Sequence, residues 1–139
     1  MKRVAIYDYQ QVNEGCPACS QSVKKALIVD IAACKNRIAQ IYGEGNSEYV
    51  LFLDRGNYLG KGLDRPEFIN LMKAVKDKRF DIVIVTNLAK ISTEVELVLR
   101  IYRRLKENGV TFITQRDGED TESLLDQACD KWEEEHGKI

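Results

Sequence analysis

No stretch of this 139-residue chain approaches the ~20 consecutive apolar residues that a membrane-spanning helix needs. The short basic start, MKRVAIYDY, is too brief in its apolar part for a secretory signal, and no small-residue cleavage site follows it. A soluble, cytoplasmic protein is expected. Surplus positive charge is missing as well: 21 Lys and Arg stand against 22 Asp and Glu, a formal net charge of −1. The domain as a whole offers no cationic field to a nucleic acid backbone, so any DNA contact has to be local. Cysteine is sparse, with Cys16, Cys19, Cys34 and Cys129 only, and nothing marks secretion, so reduced thiols are expected. No repeat, linker or low-complexity tract interrupts the sequence. At this size one core is expected, burying roughly two-thirds of the extended surface.

What is present is alternation. Residues 3–7 (RVAIY), 49–53 (YVLFL) and 81–85 (DIVIV) are nearly continuous apolar runs, and residues 110–114 (VTFIT) form a weaker fourth. Continuous rather than alternating runs are the pattern of parallel strands covered on both faces. Between them lie helical patterns. A first helix covers much of residues 22–42. In the next, Phe68, Leu71, Met72 and Val75 share a stripe, Pro66 suits the first turn, and lysines gather toward the C-terminus. In a third, Val95, Val98, Leu99, Tyr102 and Leu105 share a face, Thr93 with Glu96 reads as a capping box, and Gly109 as a stop. A last helix follows the Asp117-Gly118 turn, with Leu124, Leu125, Ala128 and Trp132 aligned. This order predicts an α/β fold: a three-layer open sheet, mainly parallel, of four to five strands, with helices on both faces and right-handed crossovers. Ligands collect beyond the carboxyl ends of such strands, which selects the loops at residues 8–15, 54–64, 86–93 and 114–120.

The second of these loops, in FLDRGNYLGKGLDRPEF, is the most informative. With Asp54, Gly56, Gly60, Arg65 and Pro66 it resembles the D-x-G-x-S-G-x-x-x-x-R-P region of the resolvase/invertase family of serine site-specific recombinases, with Leu59 where that family has Ser. KRFDIVIVTNLAKIS is similar to the family's D-x-V-V-V-x-x-L-D-R-L-x-R segment, and LKENGVTFITQRDGEDT to its L-x-x-x-G-V-x-F-x-S-x-x-x-x-D-T. The resemblance runs from Met1 to about Trp132 and implies a resolvase catalytic-domain-like fold.

It also implies a chemistry. Such a recombinase attacks a phosphodiester with a serine hydroxyl while several arginines neutralise the charge on the phosphoryl oxygens. Against the family's Y-x-R-V-S signature Tyr7 matches, but Tyr9 falls on the arginine and Gln11 on the nucleophile. A carboxamide cannot form the phosphoester, and a phenol carries no charge at neutral pH. Where the family has L-D-R-L-x-R, Lys90 stands for the first arginine and Thr93 for the second. Lysine lacks the planar fork that grips two phosphate oxygens. Arg65 alone matches among the catalytic arginines, and it reads equally as a structural cation bridging Asp54 or Asp64. Ser20 or Ser22 could stand in for the nucleophile only by a displaced geometry.

Other constellations compete. Cys16 and Cys19 form a C-x-x-C after a strand and before a helix, the setting of a redox motif; as half of a zinc site the pair needs two more ligands, and Cys34, Cys129 and the single histidine, His136, have no recognisable spacing. Arg103, Arg104 and Lys106 could track phosphates, but cations near a helix C-terminus also complement its dipole. Tyr42, Tyr49, Phe52 and Tyr58 are scattered and make no stacking platform. Neither a helix-turn-helix nor a basic extension follows KWEEEHGKI, so a single domain over residues 1–139 without a separate DNA-binding domain is expected. The reading is a recombinase-like domain that has lost strand cleavage and serves as an interaction or regulatory module, in the setting of a mobile element with active relatives. No cofactor is expected, DNA binding alone is weak or absent, and the partner is a second copy or an active recombinase. The alternatives are an active recombinase with an altered site and a small C-x-x-C redox or metal protein.

Overall fold

The computed structural model describes residues 1–11, 17–58 and 62–139, with backbone only for residues 17–23. Four strands, β1 (Lys2–Gln11), β2 (Ser47–Gly56), β3 (Ile82–Val85) and β4 (Thr111–Thr114), form one sheet in the order β2-β1-β3-β4. Every pairing among them is parallel. Helices α1 (Pro17–Tyr42), α2 (Pro66–Lys76) and α3 (Val95–Glu107) join the strands, and α4 (Thr121–His136) follows β4. No helix among the described residues is long and apolar enough to cross a membrane.

The continuous apolar runs feed two cores, because successive side chains on a strand point to opposite faces. Ala5, Tyr7, Val83, Val85 and Phe112 meet α2, α3 and α4 through Phe68, Leu71, Leu99, Tyr102, Leu105 and Leu125. Val4, Ile6, Ile82, Ile84 and Ile113 point the other way, where α1 supplies Cys34 and Ile38. One helix thus covers a face opposite three. Since β1 leads into α1 on one face and β3 into α3 on the other, the chain diverges between their carboxyl ends, and this crevice positions the site.

Several expectations are corrected. The strands β1 and β2 run on in register through Asp8↔Leu53, Tyr9↔Asp54, Gln10↔Arg55 and Gln11↔Gly56, so the polar residues read as loop are strand. Backbone pairing continues there because the buried polar side chains find partners of their own. Helix α3 starts at Val95 with Glu94 as its cap residue and no side-chain cap, so the Thr93/Glu96 capping box does not form. Instead the Glu94 amide donates to Ser92 Oγ at 3.0 Å and Glu96 pairs with Arg100 at 2.8 Å. Val95 and Leu124, expected on apolar stripes, are 57% and 48% exposed, each lying at the edge of a stripe wider in sequence than in space. Gly109 ends α3 as expected, with φ +74 in the region glycine enters without steric cost.

Because Ile38 is a fully buried anchor of α1 on its face of the sheet, Ile38→Ala should cost about 2–4 kcal/mol in urea unfolding. Val29→Ala on the exposed side of the same helix should stay within about 0.5 kcal/mol.

Candidate functional site

Asp54 is buried near the end of β2 and caps a helix in another part of the chain. Its Oδ1 accepts from the Glu67 amide at 2.9 Å and its Oδ2 from the Phe68 amide at 3.0 Å, satisfying free N–H groups of the first turn of α2. Tyr7 reaches the same carboxylate from β1, its hydroxyl donating to Oδ2 at 2.9 Å. Burial pushes the Tyr7 phenol well above its ordinary pKa, so it stays a protonated donor.

Arg65, at the start of α2, completes this group from above. Its Nη1 donates to Tyr7 Oη at 3.3 Å and to the Lys90 carbonyl at 2.7 Å, and its Nη2 donates to the Ile91 carbonyl at 2.7 Å. The guanidinium lies 4.5 Å from the centre of the Tyr9 ring. The side chain is buried, and its Nε has no hydrogen-bond partner among the described residues. Neither Asp54 nor Asp64 forms a direct ion pair with it among those residues, which corrects the expected bridge: the Tyr7 hydroxyl stands between Arg65 and Asp54. A planar fork spanning two adjacent carbonyls ties the turn at Leu88–Lys90 to α2, and a lysine could not make both bonds in that geometry.

Lys90 is engaged on the opposite side of its own backbone. Its Nζ donates to the Tyr9 carbonyl at 3.0 Å and pairs with Asp8 Oδ1 at 3.1 Å and Asp30 Oδ2 at 3.5 Å. Gln10 Nε2 bridges the same carboxylates, at 2.7 Å to Asp8 and 3.1 Å to Asp30. Burial raises the Asp8 carboxyl pKa, against the pull of Gln10 and Lys90. Cys34 lies below, its thiol pushed up to about 12 chiefly by burial and further by Asp8 and Asp30, so it carries no nucleophilic thiolate at neutral pH.

Above these groups opens a pocket of about 480 Å³. It gathers five of the residues singled out in the sequence, Tyr9, Gln11, Arg65, Lys90 and Thr93, while Tyr7 is buried beneath. Sequence reasoning set Tyr58 aside as one of several scattered aromatics and missed Asn87. Tyr58 sets its ring edge-on to Tyr9, 6.0 Å between centroids, and its amide donates to Tyr9 Oη at 3.0 Å. Asn87 caps the turn, its Oδ1 accepting from the Ala89 amide at 3.0 Å. Asp30 and Gln10 were missed too; the available signal was that Asp30 sits four residues before Cys34, on the stripe of α1 that faces the sheet. Cys16, Leu59 and Gly60 lie outside the described residues, as do the side chains of Cys19, Ser20 and Ser22. Cys34 and Cys129 are buried free thiols. Among the described residues no cluster of His, Cys, Asp and Glu is arranged to hold a metal.

A parallel 2-1-3-4 sheet with a polar pocket over its switch point is the framework of a serine recombinase catalytic domain. The chain belongs to the family described as "Resolvase, N terminal domain", which matches residues 23–129; β1 stands outside the matched segment. Three solved structures share the fold. The N-terminal catalytic domain of TP901-1 integrase is 22% identical with a TM-score of 0.64, over 96% of this chain and 98% of that one. The C-terminal catalytic domain of ISC1926 TnpA, an IS607-like serine recombinase, is 17% identical with a TM-score of 0.63, over 97% and 86%. A resolvase family site-specific recombinase from Streptococcus pneumoniae is 19% identical with a TM-score of 0.54, over 95% and 89%. No curated protein matches the sequence.

Arg65→Met should destabilise the domain by about 2–4 kcal/mol in urea unfolding, because it strands the Lys90 and Ile91 carbonyls. Asp8 gives a pH signature. With its folded-state pKa raised, its contribution to stability is fully present below the ordinary carboxylate value and is lost as pH rises through the folded value. The Tm of the wild type relative to Asp8→Asn should therefore be higher at about pH 4.5 than at about pH 7.5.

Proposed function

We propose that this serine recombinase-like domain, related to site-specific recombination, does not cleave DNA and acts as an interaction or regulatory module. The observation that carries the reading is that the two described cations at the pocket, Arg65 and Lys90, are bonded within the protein. Arg65 spends its Nη groups on two carbonyls and a phenol, and Lys90 is held by Asp8 and Asp30. Phosphoryl transfer by a serine enzyme needs a free hydroxyl and oriented positive charge together. By the resemblance, Gln11 stands at the nucleophile's position, Tyr9 and Thr93 at those of two arginines. Of the hydroxyls at the pocket, Tyr7 is buried beneath it and bonded to a carboxylate, Tyr9 Oη accepts from the Tyr58 amide, Ser92 Oγ accepts from the Glu94 amide, and Thr93 lines the wall. With its charge near balance, the domain is expected to bind DNA weakly or not at all by itself, and to act through a second copy or an active recombinase.

The purified protein, incubated with supercoiled DNA carrying candidate sites and run under denaturing conditions, should yield no covalent protein-DNA adduct and no nicked product. An adduct would overturn the proposal. Gln11→Ser should remain inactive as well, since each missing transition-state donor costs about 100-fold or more in rate. The alternative, an active recombinase with an altered site, draws on Ser92 and Thr93 lining the same pocket as Arg65. It requires an adduct that Ser92→Ala or Thr93→Val abolishes.

A further inference from the structure

A second concavity, of about 540 Å³, lies away from the pocket, between the outer sides of α2 and α3. Both helices return antiparallel to the strands on the same face of the sheet, so they run side by side in the same direction. The bond from Lys78 Nζ to the Asn108 carbonyl, 3.0 Å, ties their carboxyl ends together. The groove combines apolar and cationic side chains. Leu63, Phe68, Ile69, Met72 and Ile101 supply its apolar lining, and Lys73, Lys76 and Arg104, toward the carboxyl ends of the two helices, stand beside it. Ile69 is 37% exposed, a branched apolar side chain on the open side of its helix.

The charges are what give the groove its character. Among the described residues no Asp or Glu lines it. Among the described residues, Lys73, Lys76 and Arg104 form no ion pair, whereas Arg100, Arg103 and Lys106 of α3 each have a carboxylate partner. The helix dipole favours cations near a carboxyl end on any face. It does not account for three unpaired ones on the rim of a single apolar floor.

We infer that the α2/α3 groove docks an acidic amphipathic segment of a partner protein, its apolar side chains against Leu63, Ile69 and Met72 and its carboxylates toward Lys73, Lys76 and Arg104. An amphipathic helix laid in a groove is an established recognition mode, with apolar anchors at i, i+3 and i+4 and charge setting specificity and on-rate. The apolar floor separates this surface from a phosphate-tracking one, where aliphatic side chains find nothing to cover. The inference rests on reading the domain as an interaction module and names the chemistry of what it engages.

The test uses the full chain and a fluorescein-labelled helical peptide with leucines at i, i+3, i+4 and i+7 and glutamates elsewhere. Fluorescence anisotropy should show saturable binding that weakens as salt rises. Two variants should each lose at least about tenfold in affinity: the charge reversal Lys73→Glu/Lys76→Glu/Arg104→Glu, and Ile69→Asp. An unchanged circular dichroism spectrum and cooperative unfolding would show that both variants remain folded. Lack of binding by the wild-type chain overturns the inference, as does equal binding of a peptide with lysine in place of glutamate. So does duplex DNA binding that the charge reversal abolishes and Ile69→Asp leaves intact, which would assign the cations to nucleic acid. A dimer in sedimentation that Ile69→Asp dissociates would assign the groove to a second copy and equally overturn it. These outcomes leave the DNA-cleavage assay untouched, and an adduct there would remove the module reading without bearing on peptide affinity.

Discussion

The upper end of this domain depends on one carboxylate. Asp54 lies within a strand yet supplies the amide acceptors for the first turn of α2, and it does so while accepting the Tyr7 hydroxyl from the neighbouring strand. A buried carboxylate is costly unless its oxygens are hydrogen-bonded, and here two amides of a helix amino terminus and a phenol donate to them. With α2 so fixed, Arg65 rests over Tyr7 and Tyr9, where its guanidinium reaches the carbonyls after β3. Strands β1 and β2, helix α2 and the turn before α3 are joined by this single chain of bonds.

The same bonds set the character of the pocket. Two cations that line it are also bonded within the protein: Arg65 braces α2 against the turn, and the Lys90 amine pairs with Asp8 and Asp30. Around them the described lining of the pocket adds carboxamides, hydroxyls, the edge of an aromatic pair and the carboxylate of Glu94. A low-dielectric interior strengthens each internal contact, and for that reason makes the committed cations expensive to redirect. The groove between α2 and α3 is the opposite case, with cations at a rim and nothing in the described chain opposing them.

The layered fold was legible because its strands are continuous apolar runs and its helices carry clear stripes, and both signals are local. Errors arose where a residue has two uses. Thr93 and Glu96 have the spacing of a capping box, but Ser92 takes the Glu94 amide and Glu96 turns to Arg100. Asp8, Tyr9 and Gln10 look like loop because they are polar, yet they continue a strand whose polar groups are satisfied across the sheet. Arg65 reads equally as a catalytic cation and as a bridge to Asp54 or Asp64, and in the fold two carbonyl oxygens and a phenol take the bridging place. Family membership was legible from the spacing of short motifs from Asp54 onward, where the family match and the apolar pattern coincide.

By itself the sequence determined which residue types are on hand: a carboxamide at Gln11, a phenol at Tyr9, a lysine at Lys90, and strands able to form a doubly covered parallel sheet. Those are properties of composition and of periods of two and 3.6 residues, which need no knowledge of distant neighbours. Only the tertiary structure decided where the charges point. The partners of Arg65 are 25 and 26 residues further along the chain at the carbonyls, and those of Lys90 lie on β1 and α1. Such pairings are fixed by how helices seat on the sheet, and no local pattern encodes them.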